Sequence, residues 1–167
     1  MTIISRFSFT NKRSYQAGAA MVEFAIMLPM IVVLVFGITE LGRAIYQQNT
    51  LSKAAASGAR YMSRSPQAVT SDCAEGATWS ASVLNAANLI AYGRQSGTGQ
   101  PLLPDLDAAD ASFSVAQRTV TGMGNACVIT ASVSVPFRAI FGDTLVPFLD
   151  LDPLNLSAIV EERFHGE

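Results

Sequence analysis

The run from Ala17 to Ile38 is apolar or small at every position except Glu23. It is long enough to cross the ~30 Å hydrocarbon core of a bilayer as one helix. Nothing immediately beyond it requires the helix to stop. Leu41, Ala44/Ile45, Gln48, Leu51/Ser52, Ala55, Ala59 and Met62 recur at three- to four-residue spacing, the signature of one helical face. The pattern predicts a single helix from Ala19 to about Ser63, whose ~45 residues at ~1.5 Å each reach roughly 67 Å. Its outer half is therefore available to pack against a domain. Pro29 removes the backbone bond to Ala25, which predicts a kink inside the membrane rather than a break. The small residues of Ala54-Ala-Ala-Ser-Gly-Ala59 form a smooth surface for close packing, against either the chain's own domain or another subunit. Glu40 and Arg43, three apart, are expected to form an exposed pair of little energetic weight.

Ser65-Pro66 opens a loop, and Asp72 with Glu75 reads as a capping box for a second helix that ends at Gly93. Trp79, Val83, Ala86/Ala87 and Ile90 give that helix one apolar stripe for core packing, and Gly76 weakens its first turns. Residues 93–111 hold clusters of Gly, Pro and Asp and read as a long connection. Phe113 and Val115 then begin a strand. Cys127, Ile129, Ala131, Val133, Val135 and Phe137 alternate with Val128, Thr130, Ser132, Ser134 and Pro136, a period of two that marks a half-buried strand. Thr121–Ala126 joins the two as a hairpin loop. After a Pro-rich excursion, Leu154, Leu156, Ala158, Val160 and Phe164 predict a last strand. The expected fold class is α+β: a long N-terminal membrane helix continuing into a small domain with a second helix and an antiparallel sheet of about three strands. The expected divisions are a leader over 1–18, a span over 19–40, a continuation of the helix over 41–64 and the domain over 65–167.

Charge orients this arrangement. Residues 1–18 carry Arg6, Lys12 and Arg13 and no acid, whereas residues 41–167 carry 8 basic and 11 acidic side chains. Positive charge stays in the cytoplasm, so the remainder is expected to be exported. Three basic residues without interleaved aromatics do not make a nucleic-acid surface. Cys73 and Cys127 both follow the span, and on the exported side a disulfide is expected, with two separate buried thiols as the alternative.

A carboxylate near the edge of a hydrocarbon span costs a few kcal/mol on insertion scales, so Glu23 needs a function and a positive partner. Cleavage after Gly18 would supply one, because Ala19 would become a free α-amine and Glu23 the fifth residue of the shortened chain. With 12 glycines in 167 residues, a Gly-to-Glu spacing of five arises by chance about 0.4 times. Gly18 is the one glycine with that spacing, and it lies where the basic segment meets the apolar helix. A secretory signal peptide has the same charge profile, but its apolar region is shorter and ends in a small-x-small site, where this chain has Thr39-Glu-Leu-Gly-Arg43.

Catalytic chemistry finds little support. His165 is the one histidine and no nucleophile motif accompanies it. Gly122-x-Gly124 lacks the third glycine of a dinucleotide fingerprint. Asp105, Asp107 and Asp110, or Asp150 and Asp152, offer oxygen ligands without the Gly and distal Glu of an EF-hand, so solvated acidic loops are expected and no cofactor or metal.

Three stretches carry a resemblance: Gly18-Ala-Ala-Met-Val-Glu23-Phe24-Ala-Ile-Met-Leu-Pro29, then Phe36-Gly-Ile-Thr-Glu40-Leu-Gly-Arg43-Ala-Ile-Tyr46, then Ala55-Ala-Ser-Gly-Ala-Arg60-Tyr61. They resemble the TadE-like minor pilins, or pseudopilins, of the bacterial tight-adherence (Flp) pilus system. The resemblance covers about residues 15–62. It implies cleavage after Gly18 by a prepilin peptidase, then a non-catalytic part in pilus assembly at the inner membrane beside other pilin and minor pilin subunits and an assembly platform. Gly18, Ala19, Glu23 and Phe24 would serve processing, and Glu23 and Pro29 assembly. Ala19 departs from the Phe or Met that opens many type IV pilins, which bears on N-methylation and not on cleavage. The competing reading is an uncleaved, single-pass signal anchor whose exported domain binds a partner.

Overall fold

The computed structural model describes residues 13–120, 124–140 and 154–166. The basic leader up to Lys12, Thr121–Met123 of the predicted hairpin loop, and the Pro-rich excursion with Asp150 and Asp152 lie outside the described residues. Helix α1 runs unbroken from Arg13 to Ser63 through Pro29. Helix α2 spans Trp79–Tyr92, and a short 3-10 turn at Ala108–Asp110 leads into the strands. The strands β1 (Ala111–Val120), β2 (Gly124–Pro136) and β3 (Asn155–Arg163) form one antiparallel sheet in the order β1-β2-β3. Both helices cover the same face of it, α1 over β2 and β3, α2 towards β1. The α+β expectation holds.

The period-two pattern of β2 converts directly into packing. Ile129, Ala131, Val133, Val135 and Phe137 are buried, while Cys127 at the strand's start is half-buried. Pairing of Val133 with Ala111 on one side and Ala158 on the other carries the buried face across the sheet. That face meets Leu51, Ala55 and Ile90 from the helices and Leu103 and Leu106 from the connection after α2. A second cluster of Met62, Val69, Trp79, Ala86 and Ile129 closes the far end. The connection over residues 93–111 thus does more than span a gap: two of its leucines plug the core.

The small-residue stretch of α1 packs on the chain's own domain. Ala54, Ala55 and Ala59 are buried, and a Cβ built on Gly58 would stand 2.6 Å from Ile90 Cγ1 and 3.3 Å from the Ala86 carbonyl. Glycine here allows α2 to approach α1 within the reach of a backbone carbonyl. The end of α1 is capped by the chain's last described residues. The amides of His165 and Gly166 both donate to the Ser63 carbonyl, at 2.8 and 3.1 Å, satisfying an acceptor that the helix leaves orphaned.

Three local expectations change. Helix α2 starts at Trp79 rather than near Asp72, and Thr78 at its N-cap makes no side-chain capping bond. The Asp72–Glu75 stretch is instead a tight turn, closed by the Thr70 amide on the Ala74 carbonyl and the Cys73 amide on Thr70, with Cys73 at φ +62°. A left-handed residue does not continue a helix. Gly76 therefore precedes α2 and does not weaken it; a Cβ there would lie 2.1 Å from the Gln67 carbonyl oxygen, so the close backbone approach requires glycine. Finally, Gly124–Ala126 belong to β2, paired with Val120, Thr119 and Arg118, which shortens the predicted hairpin loop. At the helix end, Gly93 takes the left-handed C-cap expected of it.

The disulfide joins Cys73 in that turn to Cys127 on β2, with Cα atoms 5.2 Å apart. It closes a loop of 54 residues in sequence, for which chain entropy assigns about 4 kcal/mol. Beside it, a hydrogen bond from Thr70, then its own backbone amide, holds the fully exposed Asp72 carboxyl below its usual range. Because the folded value is the lower one, any stabilisation of the turn is present above the ordinary carboxylate range and fades as pH falls through the lowered value.

Gly58→Val is expected to lower stability by about 2 kcal/mol, since overpacking costs ~1–3 kcal/mol and Ile90 is fully buried with no room to yield. Thermal unfolding of the full chain in detergent, followed by Trp79 fluorescence, measures this. Adding Ile90→Ala should recover part of the loss, and an unchanged midpoint in the single variant would contradict the packing account.

Candidate functional site: the apolar helix and its exit into the domain

The first half of α1 is largely exposed among the described residues. Met21, Val22, Phe24, Ile26, Met27 and Met30 are between 54% and 78% exposed, and the described helix from Gly18 is long and apolar enough to cross a membrane. Around Gly18 lies open space, with no atom within 4 Å of an added Cβ. Glu23 is exposed among these apolar side chains, without a hydrogen bond or ion pair among the described residues. Ala19 lies one helical turn before Glu23, on the same side, since residues four apart stack along a helix. Phe24 is 61% exposed, and Pro29 sits mid-way along the bare segment without ending it. The five residues singled out for processing and assembly, Gly18, Ala19, Glu23, Phe24 and Pro29, thus share one uncovered helix. The two cysteines lie apart from them, in the domain.

The transition out of that segment is made by a buried charge. Glu40 is 1% exposed. Arg43 Nη1 donates to both of its oxygens, at 3.1 and 2.9 Å, and the backbone amide of Ile140 donates to Glu40 Oε1 at 3.1 Å. Arg43 Nη2 reaches the Arg138 carbonyl at 3.3 Å, and its guanidinium lies over the Phe137 ring, 5.6 Å from the centroid. Three hydrogen bonds, two from one Arg43 nitrogen and one from the Ile140 amide, thus offset the desolvation of one carboxylate, which is what a buried charge requires. The expected exposed pair is therefore a clasp between α1 and the chain that follows β2. Its signal was present in the sequence: Glu40, Ala44 and Leu51 are 4 and then 7 residues apart, which places the carboxylate on the buried stripe. What the sequence does not show is that Ile140 supplies the third hydrogen bond from 100 residues away.

A little further along, Gln48 Nε2 donates to the Ser157 carbonyl at 2.7 Å, so α1 also covers part of the β3 edge. Between them lies a groove of about 340 Å³ lined by Ala44, Ile45, Gln48, Asn49 and Leu154–Leu156. A second cavity, about 370 Å³, adjoins Arg60, Tyr61 and Arg64. Neither joins a nucleophile to a general base. The acidic loop is engaged internally: Asp105 pairs with Arg138, while Asp107 and Asp110 cap the 3-10 turn reciprocally. Among the described residues no cluster of three His, Cys, Asp or Glu side chains is placed to hold a metal.

The described residues hold a bare apolar helix, with one carboxylate near its start, at a fixed attachment to a disulfide-linked domain. The comparison with known families addresses that helix. Residues 18–60 match the model of the TadE-like protein family. The match begins at Gly18 and ends at Arg60, just past the small-residue stretch, so it takes in Glu23, Pro29, the Glu40–Arg43 clasp and Gly58. No curated protein and no solved structure matches the chain.

Arg43→Leu is expected to destabilise the domain by about 2 kcal/mol. Removing one member of a buried pair costs ~3–5 kcal/mol, reduced here because the Arg43 side chain is 34% exposed. The Glu40→Leu/Arg43→Leu double variant should lose less than the sum of the singles, since it leaves no uncompensated charge. A double-mutant cycle on thermal midpoints checks this, and strict additivity would show that the two charges are not coupled.

Proposed function

We propose that this chain is a non-catalytic minor pilin or pseudopilin of a tight-adherence pilus, released from its leader by cleavage after Gly18. One observation carries the reading. The Gly18-to-Glu23 spacing falls where a basic, acid-free segment meets the uncovered helix whose TadE-like match starts at the same glycine. On this reading residues 1–18 are a cytoplasmic leader, 19–40 span the inner membrane, 41–64 continue the helix outside, and 65–167 form a periplasmic domain. The basic leader supports that orientation through the positive-inside bias. The Cys73–Cys127 disulfide supports it independently, since such bonds persist in oxidising compartments.

Mechanistically, Glu23 pairs with the new α-amine of Ala19 on a neighbouring subunit while the apolar helices bundle. Pairing offsets the desolvation of both charges and sets the axial register of the subunits. Prepilin peptidase, other pilin and minor pilin subunits, the assembly platform and membrane lipid are the partners this implies. The second reading is an uncleaved anchor, for which the open space around Gly18 has no use.

Mass spectrometry of the N-terminus of the membrane-extracted protein, with and without the host's prepilin peptidase, separates the two. A peptidase-dependent start at Ala19 is expected; an intact Met1 end in both samples would establish the anchor. Glu23→Ala is expected to be cleaved yet to lose incorporation into pilus-assembly complexes by at least tenfold, measured by co-purification. Loss of cleavage itself would assign Glu23 to peptidase recognition instead.

A further inference from the structure

Helix α1 begins at Arg13 and runs without interruption through Gly18 into the apolar segment. The bond between Gly18 and Ala19 therefore lies inside the helix, in its second turn. In that geometry the Gly18 carbonyl accepts from the Val22 amide, the Ala19 amide donates to the Tyr15 carbonyl, and the adjoining turns lie against the bond on either side. A peptide segment that is bound as an extended strand is held through free main-chain groups. Attack on the Gly18 carbonyl carbon also needs a clear approach to one face of it. A closed helical turn supplies neither.

We propose that hydrolysis after Gly18 proceeds only from a state in which the start of α1 has unwound, with Gly18 as the weak point of the helix and Glu23 as the mark of where unwinding stops. The proposal rests on reading Gly18–Ala19 as the cleaved bond and residues 19–40 as the span. Every residue from Gly18 to Val32 is exposed, and nothing outside the helix's own backbone lies within 4 Å of a Cβ placed on Gly18. Among the described residues this part of α1 is thus held by its own hydrogen bonds, whereas Ala44, Leu51, Ala55 and Met62 are held by packing. A helix gains little per residue from propagation alone, and the amides of its first turn, Arg13–Gln16, have no intrahelical partner. Opening from this end is accordingly the least costly local unfolding of α1. Glycine is the weakest helix former after proline, and no other glycine stands between Arg13 and Phe36.

The opening has a natural limit. Ala19 lies at the edge of the span and Phe24 about 7.5 Å deeper, at ~1.5 Å per residue, where backbone groups freed from the helix would find no partner. When the remaining helix starts at Met21, Glu23 falls in its first turn, where a carboxylate meets the freed amides and the positive end of the helix dipole. The spacing from Gly18 to Glu23 is then a length, about one and a half turns, which is what must open for the bond to straighten. Hydrolysis adds the hydroxyl of water to the Gly18 carbonyl carbon and the remaining proton to the Ala19 nitrogen, breaking the bond between them. Because only the open form is bound, kcat/KM scales with the fraction open. Exchanging Gly and Ala within the opening segment shifts that fraction by up to about fivefold, the difference in their helix propensities.

Initial cleavage rates of the full chain, in liposomes of phosphatidylethanolamine and phosphatidylglycerol with the host's prepilin peptidase, test this. Ala17→Gly and Ala20→Gly, one on either side of the bond, are each expected to raise kcat/KM severalfold, up to about fivefold. Gly18→Ala is expected to lower it by a similar factor, and Ala20→Gly in the same chain to restore it. Ala25→Gly, deeper in the span, is expected to leave the rate unchanged. Amide hydrogen exchange over residues 17–22, measured without peptidase, should rise and fall in the same order across the variants. Unchanged or slower cleavage of both Ala17→Gly and Ala20→Gly would overturn the proposal. So would a Gly18→Ala defect that Ala20→Gly fails to restore, which would make Gly18 a residue read for its shape, or an equal acceleration by Ala25→Gly. Failure of the peptidase to cut the unaltered chain after Gly18 would instead overturn the cleavage reading itself, which keeps the two failures distinct.

Discussion

One α-helix is bare and apolar over its first half and packed on one face over its second, and the rest of the structure follows from that change. Inside a bilayer every backbone polar group must be bonded within the segment, which a continuous helix achieves and an open strand or loop does not. Outside, a helix is stable mainly through one buried face. Helix α1 is suited to the first demand over Gly18–Ile38, where Glu23 is the one residue neither apolar nor small, and meets the second from Glu40 onward by presenting Ala44, Leu51, Ala55, Ala59 and Met62 to one side. The change of regime is made at Glu40. A carboxylate here belongs neither in hydrocarbon nor, unpaired, in a protein core; three hydrogen bonds from Arg43 and Ile140 resolve the conflict and attach the domain at the same point.

The domain needs that attachment because it is small. A sheet of three strands and one 14-residue helix bury little without a second helix, and α1 supplies it. The supply depends on size as much as hydrophobicity. Gly58 and the alanines around it allow α2 to approach closely enough for Ile90 and Ala86 to make contact, where larger residues would hold the layers apart. The disulfide contributes from the opposite end, tying the turn before α2 to β2, and the His165 and Gly166 amides close the exposed end of α1.

Elements set by local periodicity were legible in the sequence, and those set by partners distant in the chain were not. The long helix, the stripe of Trp79, Val83, Ala86 and Ile90, and the alternation of Ile129 through Phe137 all repeat at the period of their element, so the residues report the face directly. Gly93 ends α2 because the left-handed C-cap is a local preference of glycine. Asp72 and Glu75 misled because a capping box names residues and not the backbone that must support them, and the turn around Cys73 uses that backbone otherwise. Leu41 and Ile45 sat in the apolar repeat yet are exposed. The buried stripe is centred on Glu40, Ala44, Leu51 and Gly58, and Ile45 lies about 100° round from Ala44 at ~100° per residue. The apparent anomaly of a charge on a buried stripe was the more informative sign, since a buried carboxylate implies donors that the local sequence only half supplies.

The bare half of α1 also bears on the choice between an assembly subunit and a simple anchor. Burying one large apolar side chain is worth ~1.5–3 kcal/mol. With Met21, Phe24, Ile26, Met27, Met30 and Leu34 among those uncovered, exposure of this segment to water would cost on the order of 10 kcal/mol or more. On the proposed reading the helix leaves lipid only into another apolar surface, and the same helix on a second subunit offers one of matching length and period. An anchor gains from the apolar side chains alone and is weakened by Glu23, whose charge costs a few kcal/mol near hydrocarbon. A bundle has a use for it: on the proposed cleavage after Gly18, a carboxylate one turn from the new Ala19 amine would give adjacent helices a single favoured register where a uniformly apolar surface would allow many.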